Sequence, residues 1–408
     1  MKRISIWTII LINIFLPIKI YALDFDIYSE NAILYNSKED KVIYEKDSKE
    51  KVSIASLTKI TTGIVAIENI KNLDEKIVLT AKDFEVLAEA NAADAGFRIG
   101  QEVTYRDLLY GLLLPSGADA AQSLTRNIAG SNEKFIELMN NKAKELKLEN
   151  THYVNPTGLD DPDHYSTVND VLTVFKYALK NKEFRKIVTT SKYTVSDGTL
   201  TFNSTLTKSN SLGMDYLLGG KTGTTGDAGL CLATLSHYDN TDFLLVTAKA
   251  EYSKTVPKNF LDHKEINDYI KDNYDYKEVV NKKDVLVTLP TKYLKEDEIE
   301  FTSDKSIKLY LKNSFDKKKL DYKYKGEKLI TIKNKVGEKL GKVDVYYEGK
   351  KLTTVDIILK EKPKLSITKY LWGHKLFVII ALVIIIILFP KKRKRKKIKI
   401  KVKRKKKR

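Results

Sequence analysis

The chain has 408 residues, 42% hydrophobic and 31% charged, a balance that excludes wholesale disorder and fibrous repeats and leaves room for two or three domains. Its net charge of +19 points first to a polyanionic partner, but the excess is confined to the ends: residues 391–408 are almost all Lys or Arg, residues 1–22 carry Lys2, Arg3 and Lys19, and neither end has an acid. Residues 23–369 hold all 53 acids against an equal number of bases, so the charge suits a membrane and not a nucleic acid.

At the start, Lys2 and Arg3 precede the apolar stretch 4–18, and Ile20-Tyr21-Ala22 closes on a small residue. This predicts a signal peptide over 1–22; the competing reading is an uncleaved N-terminal anchor, and either one exports the body of the chain. Segments 31–34 and 42–44 flank a polar turn and predict a β-hairpin. Leu57, Ile60, Ile64 and Ile67, spaced by three and four, predict an amphipathic helix. Further helices are expected over 105–114 and 133–146, the second capped by Ser131.

Three strands come next, over 217–225, 230–236 and 243–251, joined by turns at Gly226-Asp227 and Asp239-Asn240. Pro257 opens a helix with Phe260, Ile266 and Ile270 on its apolar side. Helices before and after an antiparallel sheet imply an α+β body over 23–275. The single cysteine, Cys231, sits in an apolar run and reads as a packing residue.

From 276 to 363 the texture changes to short alternating runs, including a hairpin about Glu348-Gly349-Lys350, which predicts a separate small all-β domain with no catalytic cluster. Residues 376–389 are apolar throughout, short of the ~20 a span needs, and reading back to Tyr370 gives a transmembrane helix over 370–390. An interfacial helix competes, but 378–388 is apolar on every face. Tyr370 and Trp372 then mark the outer headgroups, and the basic tail 391–408 lies in the cytoplasm, where it pairs with anionic lipids of the membrane.

The chemistry is carried by Ser56-Leu57-Thr58-Lys59, Ser116-Gly117-Ala118 and Lys221-Thr222-Gly223. S-x-x-K alone discriminates nothing, since it also starts at Ser48, Ser131, Ser314 and Ser366. Only Ser56 opens a predicted apolar-faced helix, with Lys59 one turn on along the same side. A serine hydroxyl needs a base to take its proton, and a lysine serves only where burial or a nearby cation lowers its pKa; the apolar neighbours Ala55, Leu57 and Ile60 provide such surroundings. The plain alternative is a serine N-cap beside a solvated lysine.

Lys221-Thr222-Gly223 comes directly after Gly219-Gly220 on a predicted strand. Such a strand can pair with an extended peptide, and the N–H groups of Thr224 and Ser56 can together hold an oxyanion. Gly223 lets a backbone approach closely, while Thr222, Thr224 and Lys221 offer hydroxyls and charge to a terminal carboxylate.

These motifs, with Ala55-Ser56-Leu57-Thr58-Lys59-Ile60, Leu112-Leu113-Leu114-Pro115-Ser116-Gly117, Asn155-Pro156-Thr157-Gly158-Leu159, His164-Tyr165-Ser166-Thr167 and Gly220-Lys221-Thr222-Gly223, resemble the low-molecular-mass penicillin-binding proteins of the D-alanyl-D-alanine carboxypeptidase family. The resemblance implies a serine β-lactamase/transpeptidase-like domain, an antiparallel sheet with a helical subdomain, acting on peptidoglycan stem peptides that end in D-Ala-D-Ala. It implies Ser56 as nucleophile, Lys59 as base, Ser116 as proton relay and Lys221 as its electrostatic partner, with β-lactam antibiotics acylating Ser56. No metal or cofactor is implied, and the five histidines show no ligand spacing. His164 reads as a structural residue of its loop.

One position departs from the pattern: the second motif usually reads S-x-N, and here Ala118 precedes Asp119. Asp119 is the residue that could reach the same space, but one step along a helix rotates a side chain by about 100°, so it is not assumed to replace the missing carboxamide. Two other readings share these residues. A serine β-lactamase would need a water-activating Glu, for which the spacing Glu137 to Asn140 is the candidate, inside a predicted helix. A catalytically idle peptidoglycan-binding scaffold is the other, motivated by Ala118.

Overall fold

The computed structural model describes residues 25–388 except 86 and 88–91. The signal peptide expected over 1–22 and the basic tail over 391–408 therefore lie outside the described residues. The chain divides into two compact units, Met1–Asp275 and Tyr276–Arg408.

In the first unit, β1 (Asn31–Asn36) and β2 (Lys41–Lys46) form the early hairpin. Two short hairpins come after it, β3 (Lys76–Val78) with β4 (Glu102–Thr104) and β5 (Lys192–Thr194) with β6 (Thr201–Asn203). The late strands are β7 (Leu217–Thr225), β8 (Gly229–Tyr238) and β9 (Thr241–Ala250). Asp239 and Asn240, at φ 52° and 53°, make the tight turn between β8 and β9 that two left-handed residues allow. These five long strands build one antiparallel sheet in the order β2-β1-β9-β8-β7, which leaves β7 at an edge.

The helices are α1 (Thr58–Asn69), α2 (Tyr105–Leu113), α3 (Ala118–Ala129), α4 (Asn132–Glu145), α5 (Val168–Ala178), α6 (Lys182–Val188) and α7 (Lys258–Asn273). Helix α7 covers one face of the sheet, where His263 sits between Thr234 and Thr247 at 2.9 and 3.0 Å. Burial lowers its pKa to about 3 and keeps it neutral. Alternate residues point the other way. Ala233, Leu235, Leu244 and Val246 enter a core shared with Ile60, Ile64, Phe135, Phe175 and Phe184 from the helices. With both faces covered, β1 is buried at every position and β8 and β9 nearly so. Cys231, fully buried, has its thiol pushed up to about 12 and belongs to this packing.

Helix α1 departs from the amphipathic helix expected. Every residue from Thr58 to Ala66 is buried. A helix enclosed by others must satisfy its polar side chains internally. Thr58 Oγ1 meets His164 Nε2 at 2.8 Å, Thr61 Oγ1 meets the Tyr153 hydroxyl at 2.7 Å, and Thr62 Oγ1 donates to Pro156 O at 2.7 Å. Spacing alone does not separate a half-buried helix from one whose polar residues are threonines bonded inward.

The second unit is built of β-strands, among them a three-stranded antiparallel meander of Leu320–Gly326, Lys339–Tyr347 and Lys350–Ile358. Its own core includes Val279, Leu289, Phe301, Val343, Val345 and Ile357. The single helix expected over 370–390 is corrected. The chain forms Ile367–Gly373 and Lys375–Leu388, bent by 85°. No single described helix is long and apolar enough to cross a membrane, although the bent pair passes that test together. The break has a packing cause. Ser366 N–H donates to Tyr293 O at 2.8 Å, Lys369 Nζ reaches Asp297 Oδ1 at 2.8 Å, and a Cβ on Gly373 would stand 2.3 Å from the Tyr293 ring. The first helix is thus held on the β unit, while the second, apolar and exposed along its length, is not.

Phe175 is completely enclosed by the helical core, whereas Val78 is 51% exposed. Replacing Phe175 by Ala is expected to cost about 3–5 kcal/mol, and Val78→Ala less than about 0.5 kcal/mol. Urea unfolding of the two variants against the parent measures both.

Candidate active site

Ser56 lies on a tight turn, Ala55–Leu57, immediately before α1. Ala55 enters it at φ 47°, a left-handed conformation that costs a non-glycine residue energy and redirects the chain abruptly into the helix. Lys59 Nζ lies 3.0 Å from Ser56 Oγ and donates to Thr157 O at 2.7 Å. The lysine is 2% exposed, and burial lowers its pKa to about 7, with the Asp119 charge opposing the shift. A neutral amine carries a lone pair, so Lys59 can accept the Ser56 proton. Three of the other four S-x-x-K serines have ordinary roles: Ser131 and Ser366 cap helices, and Ser48 donates to Glu45 Oε2 at 2.7 Å.

Lys221 comes from β7 and is completely buried, with Nζ donating to Thr222 O at 2.7 Å. Burial first, and then the nearby Lys59 cation, hold its pKa well below the ordinary lysine value. Thr222 Oγ1 donates to Thr205 Oγ1 at 2.8 Å, and the exposed Thr224 donates its hydroxyl to Gly223 O at 2.8 Å. A Cβ at Gly223 would stand 3.1 Å from Ser56 N, Ile54 O and Ala55 Cβ. The close approach that this glycine permits is therefore that of the protein's own nucleophile turn, and the expectation that it makes room for a substrate backbone is revised accordingly. Because β7 is an edge strand, it can still pair an extended chain on its outer side.

Ser116 is the third component. It is held at φ 73°, is 7% exposed, and its Oγ has no hydrogen-bond partner among the described residues. A buried hydroxyl without a partner is costly, which sets Ser116 apart from those buried serines that are bonded. Ala118 is fully buried at the start of α3. Asp119 turns to the loop before it, accepting from Ala95 N at 3.0 Å and Phe97 N at 3.4 Å, and burial raises its pKa. Its carboxylate is used as a loop fastener, as the rotation between adjacent helix positions implies.

Sequence reasoning gave no role to the loop 155–159, yet it supplies the Lys59 acceptor. Asn155 Oδ1 accepts from Thr157 N, Gly158 N and Leu159 N, and Gly158 adopts φ 81° with its Cα against Ala55 O. The signal was present as Asn and Gly flanking Pro-Thr, residue types that fold side chain onto backbone in tight turns. His164, lowered to about 4 by burial, is neutral and ties this loop to α1 through Thr58, a structural role. Among the described residues no group of three His, Cys, Asp or Glu side chains is placed to hold a metal ion.

The family profile described as D-alanyl-D-alanine carboxypeptidase, of peptidase family S11, matches residues 19–251, more than half of the chain. The carboxypeptidase DacF of Bacillus subtilis is 32% identical over 228 residues, covering 55% of this chain and 58% of its own length. The crystal structure of the Streptomyces K15 DD-transpeptidase superposes with a TM-score of 0.55 at 28% identity, covering 60% of this chain and 98% of that one. Penicillin binding protein 5 from Haemophilus influenzae, at 18% identity, shares the fold over 84% of this chain and 99% of its own, with a TM-score of 0.63. With a nucleophile turn, a buried amine and an edge strand in this arrangement, and with that match, the chain belongs to the D-alanyl-D-alanine carboxypeptidase family.

Proposed function

We propose that the protein is a serine-type D-Ala-D-Ala carboxypeptidase that trims peptidoglycan stem peptides. One observation carries the reading: a buried Lys59 amine with a pKa of about 7 stands 3.0 Å from Ser56 Oγ. The substrate lies along the outer edge of β7, its terminal carboxylate toward Lys221, Thr222 and Thr224. Ser56 Oγ attacks the penultimate D-Ala carbonyl while its proton passes to Lys59, and the N–H groups of Ser56 and Thr224 face the oxyanion. The C–N bond then breaks, the proton reaches the leaving amine through Ser116, with Lys221 beside it, and the last D-Ala departs. Water cleaves the resulting ester and restores Ser56. A β-lactam enters the same path, its opened ring leaving an ester on Ser56.

A β-lactamase reading finds no support at its candidate residues. Glu137 is exposed, and Asn140 is occupied with the backbone of Tyr153 at 2.8 and 3.0 Å. The complete set of Ser56, Lys59, Ser116 and Lys221 argues against an idle scaffold.

The cellular setting belongs to the same proposal. The body is exported and held at the outer face of the cytoplasmic membrane by the apolar segment containing Lys375–Leu388, with 391–408 on the cytoplasmic side against anionic lipids. In chain order the small β domain over 276–363 comes after the catalytic domain and before the apolar segment.

Incubation with a D-Ala-D-Ala-ended peptide and with labelled penicillin is expected to release D-Ala and to label the protein. Ser56→Ala abolishes the label and lowers D-Ala release by on the order of 10³-fold or more. D-Ala release that survives in Ser56→Ala overturns the assignment. Because only the neutral amine is a base, the acylation rate should rise with pH and level off above about 7. Below that point it falls about tenfold per pH unit. Stopped-flow acylation between pH 5 and 9 reads this limb, which Lys59→Met removes together with the activity.

A further inference from the structure

Four donors converge on one oxygen in the loop behind the base. Asn155 Oδ1 accepts from Gly158 N at 2.7 Å, Thr157 Oγ1 at 3.0 Å, and Thr157 N and Leu159 N at 3.2 Å each. Its amide nitrogen returns a bond to Leu159 O at 3.0 Å. A carboxamide oxygen has two lone pairs, so collecting four donors shapes the whole turn about that atom. Two consecutive carbonyls are thereby aimed at α1: Pro156 O at Thr62 Oγ1, 2.7 Å, and Thr157 O at Lys59 Nζ, 2.7 Å. The turn packs directly against the nucleophile turn, so closely that a Cβ on Gly158 would lie only 2.0 Å from Ala55 O.

The requirement this meets is specific to an amine base. A lysine side chain has four rotatable methylenes and a neutral amine two N–H groups, so a lone pair aimed at a serine needs at least one N–H fixed elsewhere. The carboxamide that the family pattern places at 118 is absent, and Ala118 offers no acceptor. We propose that Asn155 is a positioning residue for Lys59, acting through the Thr157 carbonyl. The inference rests on Lys59 being the base, and it concerns only how that base is held.

The test compares Asn155→Ala and Asn155→Gln with the parent protein, using labelled penicillin. The readouts are the acylation rate per titratable site, the penicillin concentration for half-maximal rate, and the pH profile. In Asn155→Ala the sites label to completion but about 10- to 100-fold more slowly, with the half-maximal concentration unchanged within about threefold. Water admitted beside Lys59 relieves the burial that lowers its pKa, so the acidic limb moves to higher pH by about one unit. Asn155→Gln displaces the same carboxamide by one methylene and should give the same two changes more weakly; it decides the matter if the Ala variant does not fold. Asn155→Asp keeps the acceptor oxygen but loses the donor to Leu159 O and adds a charge near Lys59, so it too should label more slowly than the parent with its acidic limb at higher pH. An unmoved acidic limb in both Ala and Gln variants, or a rate per site within twofold of the parent, overturns the proposal. A parent protein that takes no label would instead overturn the functional reading on which it rests.

Discussion

Two lysine amines, Lys59 and Lys221, are shut away from water with no carboxylate in ion-pair contact with either among the described residues. Transferring an unpaired ammonium out of water costs several kcal/mol even after relaxation. Burial therefore favours the neutral form of each amine, and a charge on Lys59 makes one on Lys221 less favourable still. A group that is an inert cation on the surface becomes here a proton acceptor beside a serine. The enclosure of α1, the tight turn at Ser56 and the glycine at 223 all serve to keep water from those amines while bringing Ser56 within reach.

The architecture supports this enclosure from several directions. Placing Ser56 at the mouth of a helix buried on all sides gives its turn a fixed foundation. Threonines at 58, 61 and 62 tie that helix to the loop and histidine behind it without introducing charge. The sheet contributes Lys221 from a strand at its edge, so the element that closes the site is also one that no further described strand covers. Asp119, the nearest acid to act on Lys59, spends its oxygens on backbone N–H groups and so only partly offsets the burial.

Much of this was legible from residue order. The strand runs about Lys221 and Cys231, bounded by turn residues, and the helix after Ser131, opened by a capping serine, rest on local signals. Ser56 stood out from four similar motifs because it alone opened an apolar helix. What was not legible depends on contacts between distant segments. The Asn155 turn reads locally as a turn, and its connection to Lys59 exists only once the chain is folded. The interruption at His374 arises from Tyr293, about eighty residues earlier, and the full burial of α1 depends on helices that its own sequence does not specify.

Burial and the neighbouring Lys59 amine disfavour the charged form of Lys221. A carboxylate that enters beside it supplies the missing counter-charge and makes protonation favourable again, so ligand and proton enter as partners. Reciprocity of binding then requires that acidification, which slows the chemistry by charging Lys59, should tighten the grip on anionic ligands. Such a cleft separates capture from turnover along the pH axis, with the acidic side favouring retention and the neutral side favouring reaction.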